Sequence, residues 1–212
     1  MSVEKFLKIG KNELFPLCRS LTGEGTLKTL KIIKKNFSLL RIKKIQSGTN
    51  VFDWKVPKQW EVKAATVQDK FGKVIIDFKK NNLHLVGYSR PIKKKINLKE
   101  LLNHLHTIPT QPNAIPYITS YYKDYWGFCI KHSQKIQILK KYNIKDKFFV
   151  NINSQFKKKG NLNYGELVIK GKSKQEILIS TYICHPSLAN NELSGPIVSM
   201  SLIEYFRKKK KT

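Results

Sequence analysis

The chain of 212 residues is long enough for one large domain or two small ones, and its 41% hydrophobic content excludes a generally disordered protein. It contains no apolar run of about 18 residues, which excludes a helix that crosses a membrane. The net charge of +27 comes with no nucleic-acid-binding motif and with lysines scattered along the chain, so we expect weak, salt-sensitive binding to polyanions and no specific nucleic-acid partner.

The amino terminus and the cysteines predict a cytoplasmic protein. The amino-terminal residues 1–5 lack the apolar core that a secretory signal has. Cys18, Cys129 and Cys184 are widely spaced and form no CxxC pair, which favours buried thiols in a reducing compartment. We therefore expect neither a structural disulfide nor a zinc site built on thiolates.

The first part of the chain predicts two helices and a strand. Apolar residues recur over residues 3–15 with an imperfect helical period that ends before Pro16. Thr26 is placed to cap a second helix that runs through residue 36. Residues 39–46 alternate imperfectly between apolar and polar side chains, which predicts the first strand of the main sheet.

The middle of the chain has the pattern of a β-rich domain. Short segments rich in Val, Ile, Phe and Trp fill residues 51–88, with hairpin-turn sequences such as residues 69–72 between them. Asn97 is placed to cap a short helix over residues 98–106. Further strands are predicted at residues 117–131 and 148–152.

The most informative stretch lies close to the end of the sequence. A strand at residues 163–169 and a turn precede residues 177–184, an Ile-rich apolar run with the pattern of a strand buried on both faces. His185 follows this run, and a helical pattern opens at Ser194. An imidazole at the carboxyl end of a buried strand, facing a loop and a helix N-terminus, lies where open α/β sheets bind ligands.

Several segments, in the same order, resemble one known family. The matching segments read LFPLCRSLTG at 14–23, VFDW at 51–54, NLHLVGYS at 82–89, AIPYITSYY at 114–122 and WGFC at 126–129. The stretch around His185 resembles the first metal-binding segment of the M28-type zinc aminopeptidases. More closely, the chain resembles the bacterial aminopeptidase-like family DUF4910/DUF2172.

This resemblance implies an α/β fold with the mixed-sheet core of the M28 aminopeptidase-like (phosphorylase/hydrolase-like) proteins. In those proteins a pair of strands follows soon after the first strand, whereas a long segment intervenes here. The resemblance therefore implies a discontinuous core of residues 1–48 and 162–212, which is incomplete, and an inserted β-rich domain of residues 49–161.

The resemblance also implies a di-zinc centre, which needs two histidines, a bridging carboxylate, two further carboxylates and a glutamate base. His185 matches the first histidine ligand, and Asn191 stands at the position of the bridging carboxylate. A carboxamide lacks the negative charge that two close zinc ions need. Glu192 brings a carboxylate one position later, on a longer side chain from a Cα expected to point elsewhere. Alternation along a regular strand places Cys184 on the opposite side from His185.

In the family, the remaining ligands and the base lie beyond the helix that opens at Ser194, whereas this sequence ends in the lysine-rich residues 207–212. We therefore expect a C-terminally truncated, catalytically incomplete chain with no catalytic residue and with weak or absent zinc binding. A frameshifted fragment, one half of a split enzyme and a naturally short paralogue all remain open. So does a non-catalytic binding protein that uses the inserted domain. The substrate of the intact family is expected to be a peptide or another small molecule with an amide bond.

Truncation has a consequence for association. The missing segments would supply the strands beside residues 177–184, so this apolar run would be left as an unpaired edge. We therefore expect self-association and poor solubility, or pairing with a complementing carboxyl-terminal polypeptide.

Histidines and aromatic residues in the middle region have alternative explanations. The histidines that match no family ligand are expected to lie in the core or face solvent: His84, His104, His106 and His132. The aromatic cluster over residues 117–128 either forms a β-domain core or an aromatic wall over a substrate cleft. The second alternative makes Tyr121, Tyr122 and Trp126 candidate substrate-binding residues.

Overall fold

The structure, a computed structural model, describes residues 3–121 and 123–209. The chain folds into two compact units. Residues 1–59 and 158–212 form the first, here called the terminal unit, and residues 60–157 form the second, here called the central unit. The sequence-based prediction placed the two domain boundaries after residues 48 and 161. Helices and several small sheets make the protein a mixed α/β structure.

The elements follow in chain order. The helices are α1 (Val3–Ile9), α2 (Glu24–Asn36), α3 (Leu98–Leu102), α4 (His132–Lys141) and α5 (Ser194–Lys209). The strands are β1 (Arg41–Gln46), β2 (Asn50–Val51), β3 (Trp54–Lys55), β4 (Gln59–Gln68), β5 (Val74–Asp77), β6 (Ile92–Asn97), β7 (Leu105–His106), β8 (Phe128–Cys129), β9 (Lys147–Lys157) and β10 (Asn161–Glu166). Of the helices within the described ranges, none has the length and apolar character needed to cross a membrane.

A helical core holds the terminal unit together. Its buried apolar side chains come mainly from α1, α2, α5 and the turns next to them: Phe6, Ile9, Leu14, Ile33, Phe37, Leu40, Leu193, Ile197 and Met200. A Cβ atom on Gly10 would lie 2.6 Å from the Cδ1 atom of Ile197, so the end of α1 approaches α5 at a distance that glycine allows. Beside these helices, β1 pairs antiparallel with β10.

The central unit contains a four-stranded sheet with the order β5-β4-β9-β6. The β4–β5 and β6–β9 pairs are antiparallel. Phe148, Val150 and Ile152 alternate along β9 and are all buried, as the period of a strand with one face in the core requires. The side chain of Asn97 accepts a hydrogen bond of 2.8 Å from the Glu100 N–H and so caps α3, as the sequence predicts.

The apolar run at residues 177–184 is not a strand, contrary to the sequence-based expectation. It has no regular secondary structure, and Ile177 and Leu178 are 92% and 90% exposed. A strand needs a neighbour that takes up its backbone hydrogen bonds, and no strand pairing to this run occurs within the described residues. Its apolar side chains are therefore left in contact with solvent.

Other elements differ in extent from the sequence-based predictions. The helix predicted over residues 98–106 ends at Leu102, and Leu105–His106 forms β7 instead, paired in parallel with β8. Within residues 117–131, only Phe128–Cys129 forms a strand. Neither α4 nor β6 was predicted. The sequence of α4 is largely polar, and Ile138 is its one buried residue, so its apolar period is weak.

Asp69 organises the turn between β4 and β5. Its Oδ1 atom accepts hydrogen bonds from the backbone N–H groups of Phe71 and Lys73, both at 2.9 Å. Its Oδ2 atom accepts one of 2.7 Å from the Tyr142 hydroxyl. Burial acts to raise the pKa of Asp69, but these three hydrogen bonds outweigh it and hold the pKa below its usual value. An ionised carboxylate therefore holds the hairpin and ties it to the end of α4.

Replacing Asp69 with alanine removes the acceptor for both backbone groups and for Tyr142. We expect Asp69→Ala to lower the free energy of unfolding by about 1–3 kcal/mol, and Tyr142→Phe to lower it by about 1 kcal/mol. Urea unfolding followed by circular dichroism measures both changes. The exposed Tyr164 supplies the control, because Tyr164→Phe should change stability by less than about 0.5 kcal/mol. If Asp69→Ala unfolds at the same urea concentration as the unmodified protein, this role of the carboxylate is contradicted.

Candidate metal centre

His185 lies between the irregular residues 176–184 and the π-helical turn Ala189–Leu193, which leads into α5. The position of Gly195 brings these segments together. A Cβ atom on Gly195 would clash with the Thr181 hydroxyl group, so the chain before His185 lies directly against the start of α5. The histidine ring therefore faces the π-helical turn, and its side chain is 21% exposed.

The carboxylate beside His185 belongs to Glu192. Its Oε1 atom contacts the Nδ1 atom of His185, and the side chain has no exposed surface. Asn191, which the resemblance to the M28-type enzymes places at the bridging-carboxylate position, is exposed. The sequence suggested that the Glu192 side chain points elsewhere. The wider i→i+5 turn, closed by a hydrogen bond from the Ser194 N–H to the Ala189 carbonyl, directs it inward instead.

Cys184 lies on the same side as His185, contrary to the sequence-based expectation. That expectation assumed a regular strand, in which neighbouring side chains alternate. Because residues 177–184 are irregular, the Cys184 Sγ atom lies 3.2 Å from His185 Nδ1 and 3.9 Å from Glu192 Oε1. Within the described part of the chain, these three residues are the group of metal-binding side chains that converges on one point, with all donor atoms within 4.8 Å of one another.

Arg19 holds the backbone of His185 in place. No local sequence pattern identifies this role. The residue is 1% exposed, and its Nε–H group donates a hydrogen bond of 3.0 Å to the His185 carbonyl oxygen. A second N–H group donates to the Leu14 carbonyl. Burial lowers the pKa of Arg19, whereas the nearby Glu192 carboxylate acts to raise it. A charged guanidinium in the interior requires such an anion, so Arg19 and Glu192 depend on each other.

Comparison with known proteins gives the chain a family. The family model "Domain of unknown function (DUF4910)" matches residues 10–212. The chain belongs to this family. A Clostridium acetobutylicum protein described as a "putative polysaccharide biosynthesis protein with aminopeptidase-like domain" is 48% identical over 183 residues, which make up 86% of this chain and 41% of that protein.

A solved structure supports the same assignment. The crystal structure of a "putative peptidase" from Clostridium acetobutylicum matches this DUF4910 chain with a TM-score of 0.88 and 44% sequence identity, and the match covers 98% of this chain and 48% of that protein. These relatives support an aminopeptidase-like, peptidase-related family. The chain spans about half the length, or less, of the relatives it matches.

The donors of the DUF4910 chain fit one metal ion. Zinc binds Cys, His and Glu side chains at about 2.0–2.3 Å, so neighbouring donors around it lie about 3.3–3.7 Å apart. The distances from Cys184 to His185 and Glu192 bracket this range, whereas the His185 Nδ1 and Glu192 Oε1 atoms are in direct contact and would have to separate before both could bind an ion. The Oε2 atom of Glu192 is buried and has no hydrogen-bond partner among the described residues, which leaves an acceptor for a cation.

The remaining histidines lie in the central unit, where each ring has a partner. The Nδ1 atom of His84 lies 2.8 Å from the Cys129 carbonyl, and the His104 Nδ1 atom lies 2.8 Å from the Trp126 carbonyl. The His106 Nε2 atom lies 2.7 Å from the Tyr125 hydroxyl, and the His132 Nδ1 atom lies 3.1 Å from the Thr107 hydroxyl. These contacts favour structural roles for all four histidines.

The aromatic residues considered for substrate binding lie in different surroundings. Trp126 is 4% exposed, and its ring stacks on His104 with 3.6 Å between the ring centroids, which favours a core role. Tyr121 is half-buried, and its ring lies 5.4 Å from that of Tyr88. Tyr122 falls outside the described residues.

The protonation of His185 gives a direct test of this geometry. Hydrogen bonds with Cys184 and Glu192 raise the pKa of His185 to about 9, against an opposing effect of burial. The pKa therefore lies above the unfolded value of about 6.5. Protonated His185 stabilises the fold fully below about pH 6.5, and this contribution is lost as the pH rises through about 9.

We expect an NMR titration of metal-free protein to show one histidine ring with a midpoint near 9. This signal should be absent from His185→Gln. His84 and His106 are internal controls, because burial lowers the pKa of both below the usual value. A His185 midpoint at or below that of an unstructured histidine would contradict the contacts with Cys184 and Glu192.

Proposed function

We propose that this chain is part of a metal-dependent hydrolase of the M28 aminopeptidase type and supplies His185 to its zinc centre. One observation carries the proposal: a buried carboxylate with an unpartnered oxygen touches the histidine of a family whose relatives are described as aminopeptidase-like. In such an enzyme the zinc polarises the scissile carbonyl and lowers the pKa of a bound water. His185 and Glu192 would hold the ion, and Arg19 would orient the backbone of His185.

The described residues supply only part of a two-metal centre. They contain one group of three converging donors, and no second such group that could hold another ion and a general base. We therefore propose that the chain by itself is catalytically incomplete. Hydrolysis would need segments that correspond to the remainder of the longer relatives.

The class of substrate follows from the chemistry of the family and from one relative. An aminopeptidase-type centre cleaves an amide bond, and one relative is described as a polysaccharide biosynthesis protein. These two points favour an amide carried by a peptide or by a modified sugar or lipid precursor.

A split enzyme is a second candidate, favoured by the exposed apolar run next to the site. Ile177 and Leu178 are almost fully exposed although they lie only a few residues before His185. An exposed segment with apolar side chains and no strand paired to its backbone can bind an added strand from another chain. A second polypeptide that pairs with this run would both cover it and bring further ligands to the site.

A chimera tests the proposed function. Residues 10–212 of this chain would replace the matching segment of the Clostridium acetobutylicum relative, and hydrolysis of aminoacyl-arylamides would be measured with zinc or cobalt. We expect turnover that a chelator abolishes. His185→Ala should lower this turnover by at least about 100-fold, because losing a metal ligand should cost more activity than losing a residue that only hydrogen-bonds to a ligand. His132→Ala, in the central unit, is the control and should retain turnover.

The chain alone should show no turnover, and Asn191→Asp should not restore it, because the exposed position 191 lies outside the converging donors. Chelator-sensitive turnover by the unmodified chain would refute its incompleteness. A fully active His185→Ala chimera would refute the role of His185.

A further inference from the structure

The three donors include a thiol that the di-zinc centre of the family does not require. Cys184 is next to His185 in sequence, and its Sγ atom lies within 4 Å of both other donors. The thiol is partly exposed, so a cation can reach it from solvent. We infer that Cys184, His185 and Glu192 form a site for a single thiophilic divalent cation such as zinc, in which the Cys184 sulfur is a ligand. This inference rests on the proposed function for the place of the metal, and on this chain's own geometry for the ligands.

Charge balance favours one ion over two. A Cys184 thiolate and the Glu192 carboxylate carry two negative charges, one of which the Arg19 guanidinium already offsets, so one divalent ion already exceeds the net negative charge of the site. Arg19 already places a buried positive charge beside Glu192, and its Nη2 atom has no hydrogen-bond partner among the described residues. A second cation would meet that guanidinium without a further anion to offset it.

The identity of the donors determines which cation the site prefers. Thiolate and imidazole ligands favour zinc and cobalt, whereas magnesium and calcium favour oxygen ligands. Three protein donors leave one position of a tetrahedral ion open. Because Cys184 and His185 are partly exposed while Glu192 is fully buried, that open position faces solvent, where a water or a substrate atom could bind.

The other two cysteines are suitable internal references. Burial raises the pKa of both the Cys18 and the Cys129 thiol to about 12, so neither is a thiolate at neutral pH. Neither belongs to the converging group of donors. Cys184 is therefore the thiol expected to respond when a metal ion binds.

Cobalt titration of the reduced, metal-free full-length chain tests the inference without any measurement of turnover. We expect one equivalent of Co²⁺ to bind with a thiolate-to-cobalt charge-transfer band in the near ultraviolet. The band should disappear in Cys184→Ser and persist in Cys18→Ser/Cys129→Ala, which retains only Cys184. Zinc should displace the cobalt, whereas excess magnesium should not.

The carboxylate has its own matched pair of variants. Glu192→Gln keeps the shape of the side chain and removes its charge, and it should weaken cobalt binding by at least about tenfold. Glu13→Gln, at an exposed glutamate of the terminal unit, should bind cobalt as the unmodified chain does. Equal affinities for Glu192→Gln and Glu13→Gln would overturn the assignment of Glu192.

X-ray absorption of the zinc-bound unmodified chain gives a result that does not depend on how the variants fold. One sulfur ligand beside nitrogen and oxygen supports the inference, and a shell without sulfur overturns it. Failure to bind one equivalent of zinc or cobalt also overturns it. If zinc has no sulfur ligand but the activity of the chimera depends on His185, only the Cys184 ligand is refuted. If zinc has a sulfur ligand but the chimera is inactive, only the proposed function is refuted.

Discussion

The terminal unit depends on one buried carboxylate. Glu192 has no exposed surface, and an anion withdrawn from water persists in a fold only beside positive charge, hydrogen-bond donors or a metal ion. His185, from the same short segment, and Arg19, from a distant part of the chain, supply this compensation. The same guanidinium also binds the carbonyls of Leu14 and His185. The helical core therefore holds in place an electrostatic cluster that in turn fixes the segment carrying the histidine.

Local signals in the sequence predicted part of the local structure, and long-range pairing much less. The cap predicted at Thr26 was wrong, because α2 begins at Glu24 after Gly23. The cap at Asn97 and the turn at Asp69 were predictable because each side chain bonds backbone groups only two to four residues away. The prediction of a strand at residues 177–184 was wrong because an apolar pattern indicates a preference for burial but does not show which strand would pair with it. Whether such a run becomes a strand depends on neighbours that its own residues do not encode.

The candidate site shows the same division between local and long-range information. The position of His185 after an apolar run could be recognised from the sequence, but its partners could not. Cys184 was placed on the wrong side because regular alternation was assumed. Glu192 was discounted because its Cα was expected to point elsewhere, whereas the π-helical turn directs its side chain inward. Both errors come from backbone irregularities, and these are common at functional sites. Arg19 was missed because its role arises from contacts more than 160 residues away in the chain.

Metal binding and catalysis place different demands on this chain. The three converging donors lie within residues 184–192, so bringing them together closes only a short loop. A two-metal hydrolytic centre also needs ligands and a base from separate strands and loops, which only a larger folded assembly can position. A short, locally formed group of donors therefore does not by itself meet the demands of turnover. Holding an ion at Cys184, His185 and Glu192, as proposed above, is therefore a different requirement from catalysis, and the charge of Arg19 near Glu192 bears only on the first.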